Sequence, residues 1–379
     1  MKKRVMLVCM LDSIHSAHWI ERFISSDIII EIYPSKKFRR LHPKIVQILE
    51  NSPNIKLALP YKFIPLILLG YIDFLLNEIL SKFFGLPNRQ SRLQRRVDES
   101  SFDFLHSLEM QAAGYLCANI LFDSKTQFIV TNWGSDMYYF KNFATDEILI
   151  RDLLQKANRY SAECNRDYAL AREFGFSGLE LPLIPNSGGN SYIGTYDPNQ
   201  KELLIVAKCY GGLFGRGDLA IKAVSNLFAV NSSFAVFFYS VSPEYEKLIV
   251  ELQRKYPNRV EFSTIKSGKS HAELMDIFKK ARIYMGCSLS DGISTSFLEA
   301  LAHGAFPIQT NTSCANEWTN QGIHASLVSL DLDEISSELI KRANSWQNLE
   351  KLTSHNLEIA RKLLDPAIIQ TKSQTFYDL

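Results

Sequence analysis

The chain has 379 residues, of which 46% are hydrophobic and 22% charged, a composition that excludes a largely disordered protein and predicts two or more globular domains. Its 42 Lys and Arg residues nearly balance 40 Asp and Glu residues, so net charge gives no indication of nucleic-acid binding. The balance is uneven along the chain, because residues 1–100 hold 16 basic against 9 acidic side chains. This asymmetry suggests that the N-terminal region meets an anionic surface.

The N-terminal segment MKKRVMLVCML predicts a first β-strand. Its apolar run is only seven residues long, and Asp12 and His15 follow in place of a small-residue cleavage site, so a signal peptide is not indicated and we expect a cytoplasmic protein. No GxGxxG follows this strand, which argues against a nicotinamide or flavin dehydrogenase. The six cysteines have no spacing typical of zinc, and no metal site is expected.

Strand-like and helical patterns alternate along the chain. In the C-terminal half, single amphipathic helices separate six strand-like runs, at 203–208, 234–240, 260–265, 283–289, 305–310 and 325–330. This alternation predicts parallel βαβ units, and residues 1–184 show it less cleanly, so we expect two Rossmann-like domains with parallel sheets that face an interdomain cleft. The predicted boundaries are an N-terminal domain at 1–184, a linker rich in Pro, Gly, Asn and Ser at 185–200, a second domain at 201–345, and a helical segment at 346–379 that could pack back on the first domain.

The most informative motif is SLSDGISTSFLEALAHGAFPIQTN at 288–311. A strand ends, a turn with Asp291 and Gly292 follows, and Ser294 or Thr295 begins a helix that carries Glu299. Free backbone N–H groups at a helix start can hold a phosphate, and two carboxylates eight residues apart can accept hydrogen bonds from sugar hydroxyls. A generic strand–helix turn with an exposed acidic residue is the alternative.

This motif resembles the signature of retaining glycosyltransferases of the GT-B fold, in the large family 4-like (group 1) set that includes sucrose synthase. The family pattern is an acid followed by Gly, then LEA, then a small residue, Gly, any residue and Pro. The resemblance extends upstream to 203–223, where the family has Arg directly after a strand and then Lys; here Lys208 comes first and Arg216 later. WGSD at 133–136 resembles the family's Gly–Ser–Asp turn, and DFLHSLE at 103–109 resembles its strand-end His segment.

The resemblance implies a C-terminal domain that binds a nucleotide sugar, linked to UDP or GDP, without a cofactor or an obligatory metal. Lys208, Arg216 and the helix-start amides near Gly292, Ser294 and Thr295 would stabilise the leaving diphosphate. By the same resemblance, Glu299 would hold the ribose hydroxyls and Asp291 the transferred sugar. A solvated loop is the alternative for the two cations, and the DxD of Asp331 and Asp333 is better explained as a helix N-cap.

The N-terminal domain would then bind the acceptor. His106 at a strand end would line the transferred sugar, although a histidine satisfied in the core is an equal alternative. His15 and His18, after the first strand, are acceptor-side candidates because they follow a carboxyl end, and Asp136 of WGSD is another. The expected protein is therefore a metal-independent, hexosyltransferase-type enzyme. A nucleotide-sugar epimerase on the same fold and a non-catalytic GT-B scaffold are the alternatives.

A predominantly apolar segment at 61–87 lies between two basic tracts without acidic residues, 36–44 and 89–96. Its longest uninterrupted apolar run has ten residues, too few to span a bilayer, which needs about 20. Apolar side chains bordered by cations are typical of a peripheral membrane anchor. We therefore predict that the enzyme binds an anionic membrane surface and acts there on a lipid-linked or surface-polysaccharide glycan. A buried helix pair in the N-terminal domain is the alternative.

Overall fold

A computed structural model describes residues 2–58, 61–185 and 197–378 of the chain. It divides into two compact units, one formed by Met1–Gly189 with Ala367–Leu379 and the other by Asn190–Pro366. Most of the predicted linker, 186–196, lies outside the described residues. The predicted C-terminal segment is shared, because its longer helix belongs to the second unit and the residues from Ala367 onward belong to the first.

The first unit contains a seven-stranded sheet in which every neighbouring pair of strands is parallel. In chain order its strands are β1 (Arg4–Cys9), β2 (Ile29–Pro34), β3 (Ile55–Leu57), β4 (Phe104–Leu108), β5 (Gln127–Thr131), β6 (Arg159–Ser161) and β7 (Leu179–Glu180). Their spatial order is β3-β2-β1-β4-β5-β6-β7, a doubly wound arrangement that starts from a central β1.

Helices connect these strands as crossovers. They are α1 (Ile14–Glu21), α2 (Pro43–Asn51), α3 (Leu69–Phe74), α4 (Ser81–Phe84), α5 (Arg89–Asp98), α6 (Tyr115–Cys117), α7 (Ser135–Tyr138), α8 (Ala144–Lys156) and α9 (Asn165–Glu173). A π-helical turn, Leu75–Leu80, joins α3 to α4, and another, Met110–Gly114, precedes α6.

The second unit contains a six-stranded parallel sheet. Its strands are β8 (Leu204–Lys208), β9 (Ala235–Val241), β10 (Val260–Thr264), β11 (Ile283–Gly286), β12 (Phe306–Thr310) and β13 (Ser326–Val328), in the spatial order β10-β9-β8-β11-β12-β13. Its helices are α10 (Gly217–Val230), α11 (Pro243–Lys255), α12 (His271–Lys280), α13 (Thr295–Ala302), α14 (Ala315–Thr319), α15 (Leu332–Asn344) and α16 (Leu349–Leu363), and the last helix of the chain is α17 (Pro366–Gln374). The two predicted Rossmann-like domains are confirmed.

Local sequence explains why the elements begin where they do. The strands are short apolar runs, and the central ones are buried on both faces: the consecutive residues Val5 and Met6 of β1 have no exposed surface, and neither do Ile205 and Val206 of β8. Ser270 and Glu273 form a reciprocal capping box that begins α12. Asp331 accepts a hydrogen bond from the Glu334 amide at 2.9 Å and so begins α15, which confirms the N-cap interpretation of the DxD.

The end of the chain packs into the core of the first unit. The Phe376 ring lies against Trp19, and the Tyr377 ring lies against Phe23 and Phe104, with ring centroids 5.0–5.4 Å apart. Burial of such large aromatic rings is a strong non-local constraint that ties the C-terminal segment to α1. Among the described residues, no helix has the length and apolar character needed to cross a membrane.

Candidate functional site

The loop after β8 and the loop after β11 lie side by side in the second unit. The two strands are neighbours in the sheet, and the loops continue their contact through an antiparallel bridge between Gly215 and Ser288. The Arg216 amide also donates to the Cys287 carbonyl at 3.1 Å. Two segments that are about 75 residues apart in sequence therefore form one surface at the carboxyl edge of the sheet, where open α/β sheets bind ligands.

Glycines allow the loop after β8 to fold tightly. A Cβ at Gly215 would lie 2.1 Å from the Tyr210 carbonyl oxygen, which no side-chain-bearing residue could tolerate, and Gly212 has a φ of +70°. The loop therefore turns back on itself and keeps its backbone close to the end of β8.

Lys208 is the last residue of β8 and is half-buried. Its Nζ lies 4.6 Å from the centroid of the Tyr210 ring, which is favourable for a cation. Across the described ranges, no carboxylate pairs with this ammonium group. Lys208 therefore offers a positive charge to an anion at the sheet edge.

Arg216 has a different environment, which sequence did not predict. Its Nε and Nη2 donate to the two carboxylate oxygens of Asp218 at 2.9 and 3.0 Å. The hydrogen bond from Arg216 lowers the pKa of Asp218, so the pair is ionised at neutral pH. An incoming phosphate would have to share Arg216 with this carboxylate.

The loop after β11 carries Asp291 among buried hydroxyl groups. Burial, and to a smaller degree the charge of Asp291, raises the pKa of Tyr210 and of Tyr284, so the carboxylate lies near both phenols. The buried Ser290 hydroxyl has no hydrogen-bond partner in the described part of the chain. An unsatisfied buried hydroxyl is costly, and a ligand hydroxyl or phosphate oxygen would satisfy it.

The start of α13 suits an anion. Ser294 is its N-cap residue, with extended backbone, and its side chain accepts no hydrogen bond from the helix. Thr295 begins the helix, and no acidic residue occurs in the first turn. The first turn therefore holds no acidic side chain that would repel an anion from the positive end of the helix dipole. Gly292, just before, accepts a hydrogen bond from the Cys314 amide at 2.8 Å, which fixes the turn.

Glu299, in the second turn of α13, has a partner that the sequence analysis missed. Its Oε1 lies 2.7 Å from Nε2 of His271, the first residue of α12. The Glu299 side chain is only 12% exposed, so this contact orients a largely buried carboxylate. The two residues are far apart in sequence, and no local spacing pattern could have revealed the pair.

In the first unit, the structure corrects the predicted role of His106. The side chain has no exposed surface, and its Nδ1 and Nε2 lie 2.8 and 2.7 Å from the hydroxyls of Tyr377 and Thr131. Burial lowers the pKa of His106 to about 3, so the imidazole is neutral. His106 is therefore a satisfied core histidine and does not line a sugar site.

The acceptor-side candidates occupy different environments. The His15 ring makes an edge contact with Trp133, 5.5 Å between centroids, which brings the loop after β1 next to the loop after β5. His18, in contrast, lies on the buried side of α1 with 8% exposure.

Asp136 is buried and joins two loops. Its Oδ2 accepts the Trp133 and Met110 amides at 3.0 and 3.1 Å, which ties the loop after β5 to the loop after β4. Burial, followed by the nearby charge of Glu109, raises the pKa of Asp136 to about 8. Glu109 itself has a φ of +92° and accepts the Ala112 amide at 3.0 Å. A strained residue beside a buried carboxyl group marks this edge as a specialised part of the sheet, and sequence reasoning missed it.

No model of a known protein family matches the chain, and no curated protein matches it either. Solved structures do match over its whole length. HepE (Alr3699) of Anabaena, in complex with UDP and glucose, superposes with a TM-score of 0.73 at 11% identity and covers 100% of both chains. Sucrose-phosphate synthase of Thermosynechococcus elongatus gives 0.72 at 14% identity, over 99% of this chain and 98% of that one. A glycosyltransferase of Rickettsia africae gives 0.63 at 12% identity, over 99% and 98%.

The chain therefore has the GT-B fold, with two Rossmann-like α/β units, as the motif resemblance implied. At these identities the similarity defines the fold, and activity has to be argued from the site.

Proposed function

We propose that this protein is a retaining glycosyltransferase that moves a hexose from a nucleoside-diphosphate sugar to an acceptor. The observation that carries the proposal is the juxtaposition of the loops after β8 and β11. It brings the Lys208 ammonium group, which forms no ion pair in the described ranges, to the same sheet edge as Asp291 and the start of α13. A cation beside a helix start suits a diphosphate, and a nearby carboxylate suits sugar hydroxyls.

The chemistry follows from the leaving group. When the sugar–phosphate bond breaks, negative charge grows on the diphosphate, and Lys208, Arg216 and the first amides of α13 stabilise it. Because these groups supply the positive charge, the proposed reaction needs no metal ion. Glu299, oriented by His271, accepts hydrogen bonds from the ribose, and Asp291 accepts them from the transferred sugar.

On the acceptor side, we propose a lipid-linked or surface-polysaccharide glycan, used by a cytoplasmic protein at the inner face of the membrane. His15, half-buried against Trp133, is the proposed contact to this acceptor. Asp136 is proposed to act by holding the loops on which the acceptor rests, since its carboxyl group is buried between them.

The test is nucleoside-diphosphate release from a panel of UDP- and GDP-sugars, with and without EDTA. UDP-glucose is the first donor to try, because HepE is seen in complex with it. We expect release that survives EDTA and a product whose anomeric configuration, read by NMR, equals that of the donor. Rearranged sugar nucleotide without release would identify an epimerase, and no binding of any donor would identify a scaffold; a strict Mn²⁺ or Mg²⁺ requirement would contradict the metal-free phosphate site.

A further inference from the structure

Large apolar side chains cluster on the surface of the first unit between residues 63 and 86. Seven of the eighteen exposed large hydrophobic residues in the described ranges lie in this short segment, with Ile67 90% and Phe63 78% exposed. The seven, called here the apolar face, are Phe63, Ile67, Leu68, Tyr71, Phe83, Phe84 and Leu86. Scattered exposed apolar residues are ordinary, but so many within one short segment indicate a binding surface. The alternative of a buried helix pair is therefore wrong.

The inner side of the same segment holds polar groups beside the buried Leu69. Asp73 accepts hydrogen bonds from the Tyr61 hydroxyl at 2.9 Å and from Arg89 at 2.7 Å, and Asn77 accepts one from Arg92 at 2.7 Å. Asp73 and Asn77, which interrupt the apolar segment, thus point into the protein, whereas Lys62 and Lys82 are exposed. A helix in water normally has the opposite polarity, with its apolar side inward. The segment is a fixed platform that presents its apolar side to the surroundings.

Cations border this platform on one side. Gly70 packs so tightly on the loop after β2 that a Cβ there would lie 2.2 Å from the Arg39 carbonyl oxygen. Lys37 from that loop places its Nζ 4.3 Å from the Phe74 ring centroid. Four side chains of the loop are exposed and form no ion pair with a carboxylate of the described residues; this basic rim consists of Lys36, Lys37, Arg39 and Arg40.

The second basic tract does not contribute in the way that its sequence suggested. Arg89 and Arg92 hold the inner side of the platform, and Arg96 binds the buried Glu31 at 2.6 Å. Only Arg95 of this tract is well exposed, and it lies 3.6 Å from a carboxylate oxygen of Glu99. The available positive charge is therefore concentrated on the loop after β2.

The basic rim is connected to the acceptor-side loop. The His42 amide, just after the rim, donates to the Leu11 carbonyl at 2.9 Å, next to the Ser13 that begins α1 and precedes His15. The platform itself follows β3, so both features lie at the carboxyl edge of the sheet. A surface bound by the rim would lie beside the proposed acceptor region.

We propose that the apolar face and the basic rim dock the first unit on a membrane with anionic headgroups. The aromatic and aliphatic side chains enter the interface, and the four cations meet the lipid phosphates. Charge complementarity favours an anionic membrane as the binding partner, because the cations can bind lipid phosphates while the exposed Phe and Tyr side chains enter the interface. This proposal rests on the proposed function in one respect, the use of a lipid-linked acceptor.

The experiment is sedimentation with vesicles of phosphatidylcholine alone or with added phosphatidylglycerol. We expect the full chain to pellet with the anionic vesicles at low salt and less with the neutral ones. Ile67→Ser with Phe83→Ser should weaken partitioning roughly tenfold or more, and Lys36→Gln with Lys37→Gln by roughly tenfold on anionic vesicles only. Ile148→Ser, an exposed isoleucine on α8, is the matched control and should have no effect.

The altered residues are exposed, so thermal melting of the variants should match the wild type. A chain that stays in the supernatant, pellets equally with neutral vesicles, or uses the apolar face to dimerise would overturn the proposal. UDP binding by the same variants separates the two hypotheses: vesicle binding without UDP binding would refute the proposed function alone, and UDP binding without vesicle binding would refute the membrane surface alone.

Discussion

Lys208 and Arg216 should contribute unequally to binding of a nucleoside diphosphate. Lys208 has a ring beneath it but no carboxylate partner in the part of the chain that the structure describes, whereas Arg216 is held by two hydrogen bonds to Asp218. A charge-assisted hydrogen bond contributes about 1.5–3 kcal/mol, so Lys208→Ala should raise the Kd for the diphosphate roughly 10- to 150-fold.

Arg216→Ala should have the smaller effect, because binding in the wild type must weaken an existing ion pair. The Arg216 and Asp218 side chains are 34% and 22% exposed, and a partly solvated pair of this kind contributes about 0.2–1 kcal/mol. Removal of the competing carboxylate should have the opposite sign: Asp218→Asn should tighten diphosphate binding by about 1.5- to 5-fold.

Isothermal titration with UDP and GDP measures these differences directly. Lys255→Ala is a matched control, since its Nζ also lies over a tyrosine ring, at 5.2 Å from Tyr256, but at the far end of α11 from the site. It should leave Kd unchanged. A larger loss from Arg216→Ala than from Lys208→Ala, or weaker binding by Asp218→Asn, would refute the reasoning.

Three further predictions concern carboxyl groups. Glu299→Gln should weaken binding of UDP and of UDP-sugar alike, whereas Asp291→Asn should weaken only the UDP-sugar; equal loss of UDP in both would contradict the division of roles. The pKa of Asp136 is about 8 in the folded chain and about 4 in the unfolded chain. Between these two pH values the folded state holds a proton that the unfolded state has lost, so the free energy of unfolding falls as the pH rises through this range. Asp136→Asn should remove this fall, and urea melts at about pH 5 and about pH 8 measure it; an unchanged slope would contradict the assignment. Glu31→Gln should lower the free energy of unfolding by about 3–5 kcal/mol, because the buried carboxylate is bound by Arg96 at 2.6 Å and its loss leaves that cation unpaired; a urea midpoint equal to that of the wild type would refute it.

Much of the fold could be predicted from the sequence. Strands such as Leu204–Lys208 and Ile283–Gly286 are short apolar runs between amphipathic helices, and that alternation alone favours parallel sheets. Lys208 at the end of a strand-like run and Asp291 in a turn after another also indicated that both lie at carboxyl ends of strands. These features were predictable because strand and helix periodicity are local, and carboxyl ends of neighbouring parallel strands always share an edge.

The partners of the site residues were decided by the tertiary structure. His271 reaches Glu299, and Tyr377 reaches His106, across 28 and 271 positions of sequence. The periodicity of a sequence does not specify such pairs. The sequence alone therefore could not show that His106 is buried while His271 lies near the surface.

The orientation of the apolar segment at 61–87 could not be predicted from the sequence either. Its composition fits a buried helix pair and an exposed platform equally well, because an apolar run does not specify which side faces the protein. The choice was made by Asp73 and Asn77, whose partners Tyr61, Arg89 and Arg92 draw the polar side inward. A buried carboxylate must be paired, and the pairing of Asp73 with Arg89 fixes which side of the segment faces the protein.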